Sequence, residues 1–148
     1  MFSIAVPRSP KSRSRLAKAD FELLAEFRYT LRRFLGFSEA AALRQGVTPQ
    51  QYQALLAIEG YPGRNWVSIS ELAGQMHIAP HSAVGLVDRM SALGLVRRTP
   101  SREDRRRVHV TLTPRGLRVL EKLYRTHRAE LAKIGPQLGR LLRRAAES

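Results

Sequence analysis

Arginine dominates one short stretch of this chain, Leu95 to Thr113, LVRRTPSREDRRRVHVTLT. Arg97, Arg98, Arg102, Arg105, Arg106 and Arg107 crowd into it, with Glu103 and Asp104 as its only carboxylates. A guanidinium keeps its charge at every physiological pH, and its planar fork of donors matches phosphate oxygens. An arginine also suits the narrow minor groove of A·T-rich duplex, where the potential is most negative. Asp104 and Arg106 stand two apart, so in an extended segment they point to one side and the carboxylate can hold the guanidinium. Arg102, Arg105 and Arg107 are then candidates for phosphate contact. The chemistry on offer is the gripping of a polyanion.

The surrounding elements explain how such a tip would be aimed. Val108, Val110 and Leu112 alternate with Arg107, His109 and Thr111, the pattern of a half-buried strand. Leu95 and Val96 begin its partner, so the arginines fall at the tip of a β-hairpin. Just upstream, Ser68-Ile69-Ser70-Glu71 is a capping box that opens a short helix with Ile69, Leu72, Ala73 and Met76 apolar. His77-Ile78-Ala79 makes a turn, and Pro80 starts a second helix with Val84, Val87, Met90 and Leu93 as its expected inward stripe. Gly94 ends it. Two short helices joined by such a turn form a helix-turn-helix pattern.

In that pattern the second helix enters the major groove with its N-terminal residues nearest the base edges. Those residues are Pro80, His81 and Ser82, with Gly85 one turn later and Arg89 a turn beyond that. His81 and Ser82 donate or accept, Gly85 permits close backbone approach, and Arg89 reaches either a phosphate or a carboxylate of its own fold. Arg64, in the preceding loop, and Ser70, at a helix N-terminus with free amides, are further phosphate candidates.

The rest of the chain reads as helical support. Residues 1–18 are basic and rich in serine and proline, a flexible arm. From Asp20, Phe21, Leu24, Phe27, Leu31 and Phe34 recur at spacings of three and four. This helix runs to a stop at Gly46, and Gly36 is a candidate bend. Thr48-Pro49-Gln50-Gln51 starts another helix, with Tyr52, Leu55 and Leu56 inward and Gly60 as its end. Trp66-Val67 suits a short strand. Thr113-Pro114 opens a helix with Leu117, Leu120, Tyr124 and Leu131 apolar, and Gly135-Pro136 is expected to break it before a last helix carrying Leu138, Leu141 and Leu142. The fold class is mainly α with a small β-hairpin. It is a single domain over 19–148, in which a winged helix-turn-helix lobe (48–113) is flanked by long helices (19–46 and 114–148).

Composition narrows the partners. A net charge of +14 on 148 residues favours nucleic acid or an anionic surface, whereas 43% hydrophobic residues is ordinary for a globular protein. The absence of cysteine excludes disulfides, zinc–thiolate sites and thiol redox sensing. No apolar run approaches the length of a membrane span, and the N-terminus is not a convincing signal peptide, so a cytoplasmic location is expected with no membrane partner. His77, His81, His109 and His127 are scattered, with no compact metal-ligand spacing. No phosphate-binding glycine loop or nucleophile motif is present, and no enzyme is expected.

The segment SISELAGQMHIAPHSAVGLVDRMSALGLVRR followed by EDRRRVHVTLTPRG resembles the MarR family of bacterial winged helix-turn-helix regulators. The run DRR-x-x-x-V-x-LT-x-x-G, Asp104 to Gly116, is its most specific part, and the likeness covers roughly residues 20 to 146. The resemblance implies a homodimer whose first and last helices interlock, here through Phe21, Leu24, Leu131, Leu138, Leu141 and Leu142. It implies a recognition helix starting at Pro80 and a wing whose aspartate and arginine are Asp104 and Arg106. It implies repression of transcription at double-stranded DNA, relieved in many members by a small aromatic ligand; no cofactor is expected. The effector would lie between the dimerisation helices and the DNA-binding lobe, near Phe27, Leu31, Tyr52 and Trp66. Gly85 departs from the polar residue common at its position. The alternative that the charge alone allows is a non-specific, architectural binder of nucleic acid.

Overall fold

The computed structural model describes residues 15–147, so the basic arm falls almost wholly outside the described residues. Its last residue, Lys18, already belongs to the first helix. The elements run α1 (Lys18–Arg44), α2 (Pro49–Glu59), β1 (Trp66–Val67), α3 (Ile69–Met76), α4 (Pro80–Ala92), β2 (Val96–Pro100), β3 (Val108–Leu112) and α5 (Pro114–Glu147). Local chemistry sets most of these boundaries. Thr48 accepts from the Gln51 amide at 3.1 Å while the Gln51 side chain accepts from the Thr48 amide at 3.0 Å. Ser68 and Glu71 repeat the arrangement at α3. Each box satisfies two amides that a helix start leaves free.

Thr113 clamps the root of α5. Its hydroxyl donates to the Gly94 carbonyl at 2.5 Å and accepts from the Gly116 amide at 3.0 Å, and its own amide donates to the Leu95 carbonyl at 3.0 Å. The end of α4, the start of β2 and the start of α5 are thereby tied together.

The hairpin is part of a larger sheet than expected. β1 pairs antiparallel with β3, giving a three-stranded sheet in the order β1-β3-β2. Trp66 lies opposite Thr111 and Val67 opposite Val110, while Val96 to Pro100 pair with Leu112 to Val108. One core joins this sheet to the helices, with Leu55, Ile58, Val67, Leu72, Leu86 and Val110 fully buried in it.

Three expectations need correction. The inward stripe of α4 is Ala83, Leu86, Val87 and Met90, whereas Val84 and Leu93 are 41% and 42% exposed. The core accepts a small alanine where the apolar spacing alone favoured valine. Leu56 is likewise about half exposed rather than buried. Finally, α5 does not break: one helix of 34 residues carries Pro136 inside it. Proline removes one amide from the helical ladder. Packing compensates, because His127 and Leu141, on either side of the proline, are both buried, and Gln137 donates to Glu26 of α1 at 3.1 Å. No described helix is long and apolar enough to cross a membrane.

Candidate nucleic-acid interface

Helix α4 owes its pose to the turn before it. His77 caps α3 in the left-handed region (φ 52°, ψ 45°), which ends that helix and lets α4 begin three residues later. Ala79 then precedes α4 and offers no side-chain cap. With the inner face filled by Ala83, Leu86, Val87 and Met90, the outer face displays Pro80, His81, Ser82, Val84, Asp88 and Arg89, all exposed, and a half-buried Gly85. Ser82 makes no side-chain hydrogen bond to its own helix start, where the cap residue is alanine. Among the described residues Arg89 has no carboxylate partner, and its guanidinium lies 3.3 Å from where a Cβ on Gly85 would be. Asp88 is tied to Arg98 of β2 at 2.6 Å, which balances the one acidic charge on this face. Both partners are substantially exposed, so the pair orients more than it stabilises.

The wing tip departs from the extended form that the sequence suggested. Residues between β2 and β3 turn back, and Asp104 Oδ1 accepts from the backbone amide of Arg106 at 3.0 Å rather than from its guanidinium. The Arg107 amide donates to the Asp104 carbonyl at 2.9 Å. A short carboxylate reaches an amide two residues on more easily than the end of a long side chain, and it shapes a turn by doing so. Ser101, a residue that the sequence reading passed over, is buried at the base of the wing. Its hydroxyl accepts from the Glu103 and Asp104 amides at 3.3 and 3.4 Å. Arg102, Arg105, Arg106 and Arg107 are all exposed, and none has an ion-pair partner among the described residues. Their mutual repulsion is left for an outside anion to relieve.

At the wing root the structure gathers residues that were far apart in sequence. A cleft of about 670 Å³ is lined by Arg64, Trp66, Ser70, Arg106, Arg107 and His109, among others. Ser70 therefore faces the same space as two wing arginines. Arg64 has a partner of its own: it forms an ion pair with Glu71, and its guanidinium lies over the rings of Trp66 at 3.8 Å and Tyr61 at 4.4 Å. It braces the loop, and its charge is already opposed. Trp66 stacks on His109 with ring centroids 3.5 Å apart.

A second cavity, of about 870 Å³, lies where α1, α2 and α5 meet. Of the four residues expected around an effector, only Tyr52 lines it; Phe27 and Leu31 do not, and Trp66 belongs to the wing root. The phenol of Tyr52 is pushed above its ordinary pKa by burial. Its wall instead contains Phe34, Leu56, Leu120, Tyr124, Leu131 and His127. His127 is buried, stacks on Tyr52 at 4.7 Å and meets Phe34 and Phe37 edge-on. Its Nδ1 lies 2.6 Å from the Leu123 carbonyl, which only accepts, so Nδ1 carries a proton, and its Nε2 is hydrogen-bonded with the Ser38 hydroxyl at 2.7 Å. Leu120, Leu123 and His127 lie at helical spacing, and that periodicity could have placed this histidine indoors.

The residues expected at a dimer interface divide. Phe21, Leu24, Leu131 and Leu142 expose much of their apolar surface, and Leu138 is half-buried. Leu141 is only 3% exposed, its surface already consumed within the chain.

Comparison with known proteins agrees with this architecture. The family model described as MarR family matches residues 45–107. The HTH-type transcriptional repressor MdtR of Bacillus subtilis is 29% identical over 90 residues, 61% of this chain and 56% of that protein. The transcriptional activatory protein BadR of Rhodopseudomonas palustris is 34% identical over 79 residues, 53% of this chain and 45% of that protein. The chain thus spans about half the length of the curated relatives it matches. Among solved structures, a MarR family protein from Bacillus stearothermophilus superposes with a TM-score of 0.73 at 22% identity, covering 90% of this chain and 97% of that one. Residues 45–107 thus match the MarR family model, and the chain has the winged-helix fold of the MarR family structure on which it superposes.

Proposed function

We propose that this chain is a dimeric, sequence-specific DNA-binding regulator of transcription, acting in the cytoplasm as a repressor that a small ligand releases. The observation that carries the proposal is the pairing of an uncapped, outward-facing α4 start with a wing tip of four arginines that have no ion-pair partner among the described residues. In this reading Pro80, His81 and Ser82 meet base edges in the major groove, and Gly85 lets the helix lie close. Arg89 and Ser70 hold phosphates, Arg106 enters the minor groove, and Arg102, Arg105 and Arg107 track the backbone on either side. Segments 19–46 and 114–148 form the dimer, with Phe21, Leu24, Leu131 and Leu142 supplying the apolar contact. The cavity beside Tyr52 and His127 takes an aromatic effector, which by touching α2 and α5 together biases the angle between lobe and long helices. Repression is the direction that MdtR has by name, whereas BadR is named for activation. A reporter assay of the chain's own promoter region, with and without the protein, decides between the two.

Fluorescence anisotropy with that promoter duplex tests the binding itself. Specific binding predicts that random duplex competes poorly. It also predicts that log affinity falls linearly with log salt at a slope of about −0.9 per phosphate contacted. Replacing Arg106 with Ala should weaken binding and leave the dimer intact by size-exclusion chromatography. Equal competition by random duplex favours the architectural alternative.

A further inference from the structure

Val84 faces away from the core of the lobe. The inner face of α4 is filled without it, and Val84 is the one large apolar side chain exposed on the N-terminal half of the helix. A single exposed valine is often incidental. Three features set this one apart. It lies in the half of the helix that approaches base edges, whereas the equally exposed Leu93 is the C-terminal cap. Its branched Cβ confines it to essentially one rotamer in a helix, so both methyls are fixed before binding. Beside it, Gly85 projects no side chain, and Asp88, one turn on, is held by Arg98 of β2. Val84 therefore shares the exposed face with His81, one turn before it, while the side chain one turn after it is tethered away.

In the major groove the apolar feature of a base pair is the C5-methyl of thymine. We infer that Val84 reads a thymine methyl group in each half-site, and so determines specificity at a position where His81 and Ser82 provide only polar contacts. The inference rests on the DNA-binding reading above.

The test uses the full chain and the tightest duplex that it selects from a random library. Each thymine in that duplex is replaced in turn by deoxyuridine, which keeps the pairing and removes only the methyl. One thymine per half-site should lose about fourfold in affinity, the factor for burying one methyl-sized apolar group. Val84→Ala should bind the original duplex more weakly and be indifferent to that same replacement; Val84→Thr, which keeps the branch, should retain part of the sensitivity. Circular dichroism checks that both variants fold, as an exposed position predicts. The inference is overturned if no replacement affects the wild-type chain, or if Val84→Ala responds to deoxyuridine as strongly as the wild type does. Selection of no preferred duplex is a separate outcome: it overturns the sequence-specific reading and this inference with it.

Discussion

Adding one methyl group at Gly116 or at Gly36 should move stability in opposite directions, although both glycines are helical. At Gly116, near the root of α5, an added Cβ lies 2.0 Å from the Leu95 carbonyl oxygen and 3.0 Å from its carbon, where ordinary contact begins at 3.4 Å. The obstacle is backbone, so no side chain can swing aside. The same oxygen accepts from the Thr113 amide. Making room lifts α5 off the start of β2 and stretches that bond. Overpacking costs about 1–3 kcal/mol and the strained hydrogen bond about 1 more, so Gly116→Ala should destabilise by about 2–4 kcal/mol. For a chain of this size that lowers the melting temperature by about 5–15 °C. At Gly36, midway along α1, an added Cβ meets nothing within 4 Å. Alanine there restricts the unfolded chain and favours the helix, a gain of about 0.5–1 kcal/mol and roughly 1–4 °C. Thermal unfolding followed by circular dichroism reads both, at one fixed protein concentration because association shifts the midpoint. A Gly116→Ala midpoint level with the wild type would refute the close approach of α5 to β2. A Gly36→Ala midpoint that drops with it would refute the open site.

Two further outcomes follow from the wing and the cavity. Asp104→Ala removes the acceptor of the Arg106 amide and should weaken DNA binding about fivefold, the worth of roughly one hydrogen bond. Asp104→Asn keeps an acceptor and sheds the negative charge, so it should bind at least as tightly as the wild type. Tighter binding by the alanine variant in anisotropy would sink the turn-shaping role. Burial raises the pKa of Tyr52 above its ordinary 10.0, so above pH 10 the unfolded chain loses its phenolic proton first. This contribution to stability is fully present below pH 10 and fades as pH rises through the folded value. Urea titrations across that range should show a shallower alkaline loss for Tyr52→Phe, and identical slopes would remove the effect.

Local chemistry was the part of this fold written most plainly in the sequence. Thr48 with Gln51, Ser68 with Glu71, and Thr113 with Gly116 each act within three residues, so reading these caps requires no knowledge of the tertiary structure. The helix-turn-helix and the basic hairpin were legible for the same reason. What escaped were choices made by distant partners. The phase of α4 turned on a core that buries Ala83 and leaves Val84 outside it. Pro136 stays helical because α1 supports both sides of it. Trp66 left the expected effector region because strand pairing placed it beside His109. His127 looked like one of four scattered histidines until α1, α2 and α5 closed around it.

Trp66 is the chain's only tryptophan, and it is stacked on His109, two residues from the wing's last arginine. Indole emission responds to a cation or an imidazole against its ring, and here both are present, since Arg64 lies over the same side chain. The protein therefore carries a native optical reporter at the hinge of its wing. Any event that repositions β3 against β1 should change the intensity or colour of that single emitter. Wing posture is then measurable on unlabelled protein, in real time, and separately from whatever happens in the cavity around Tyr52.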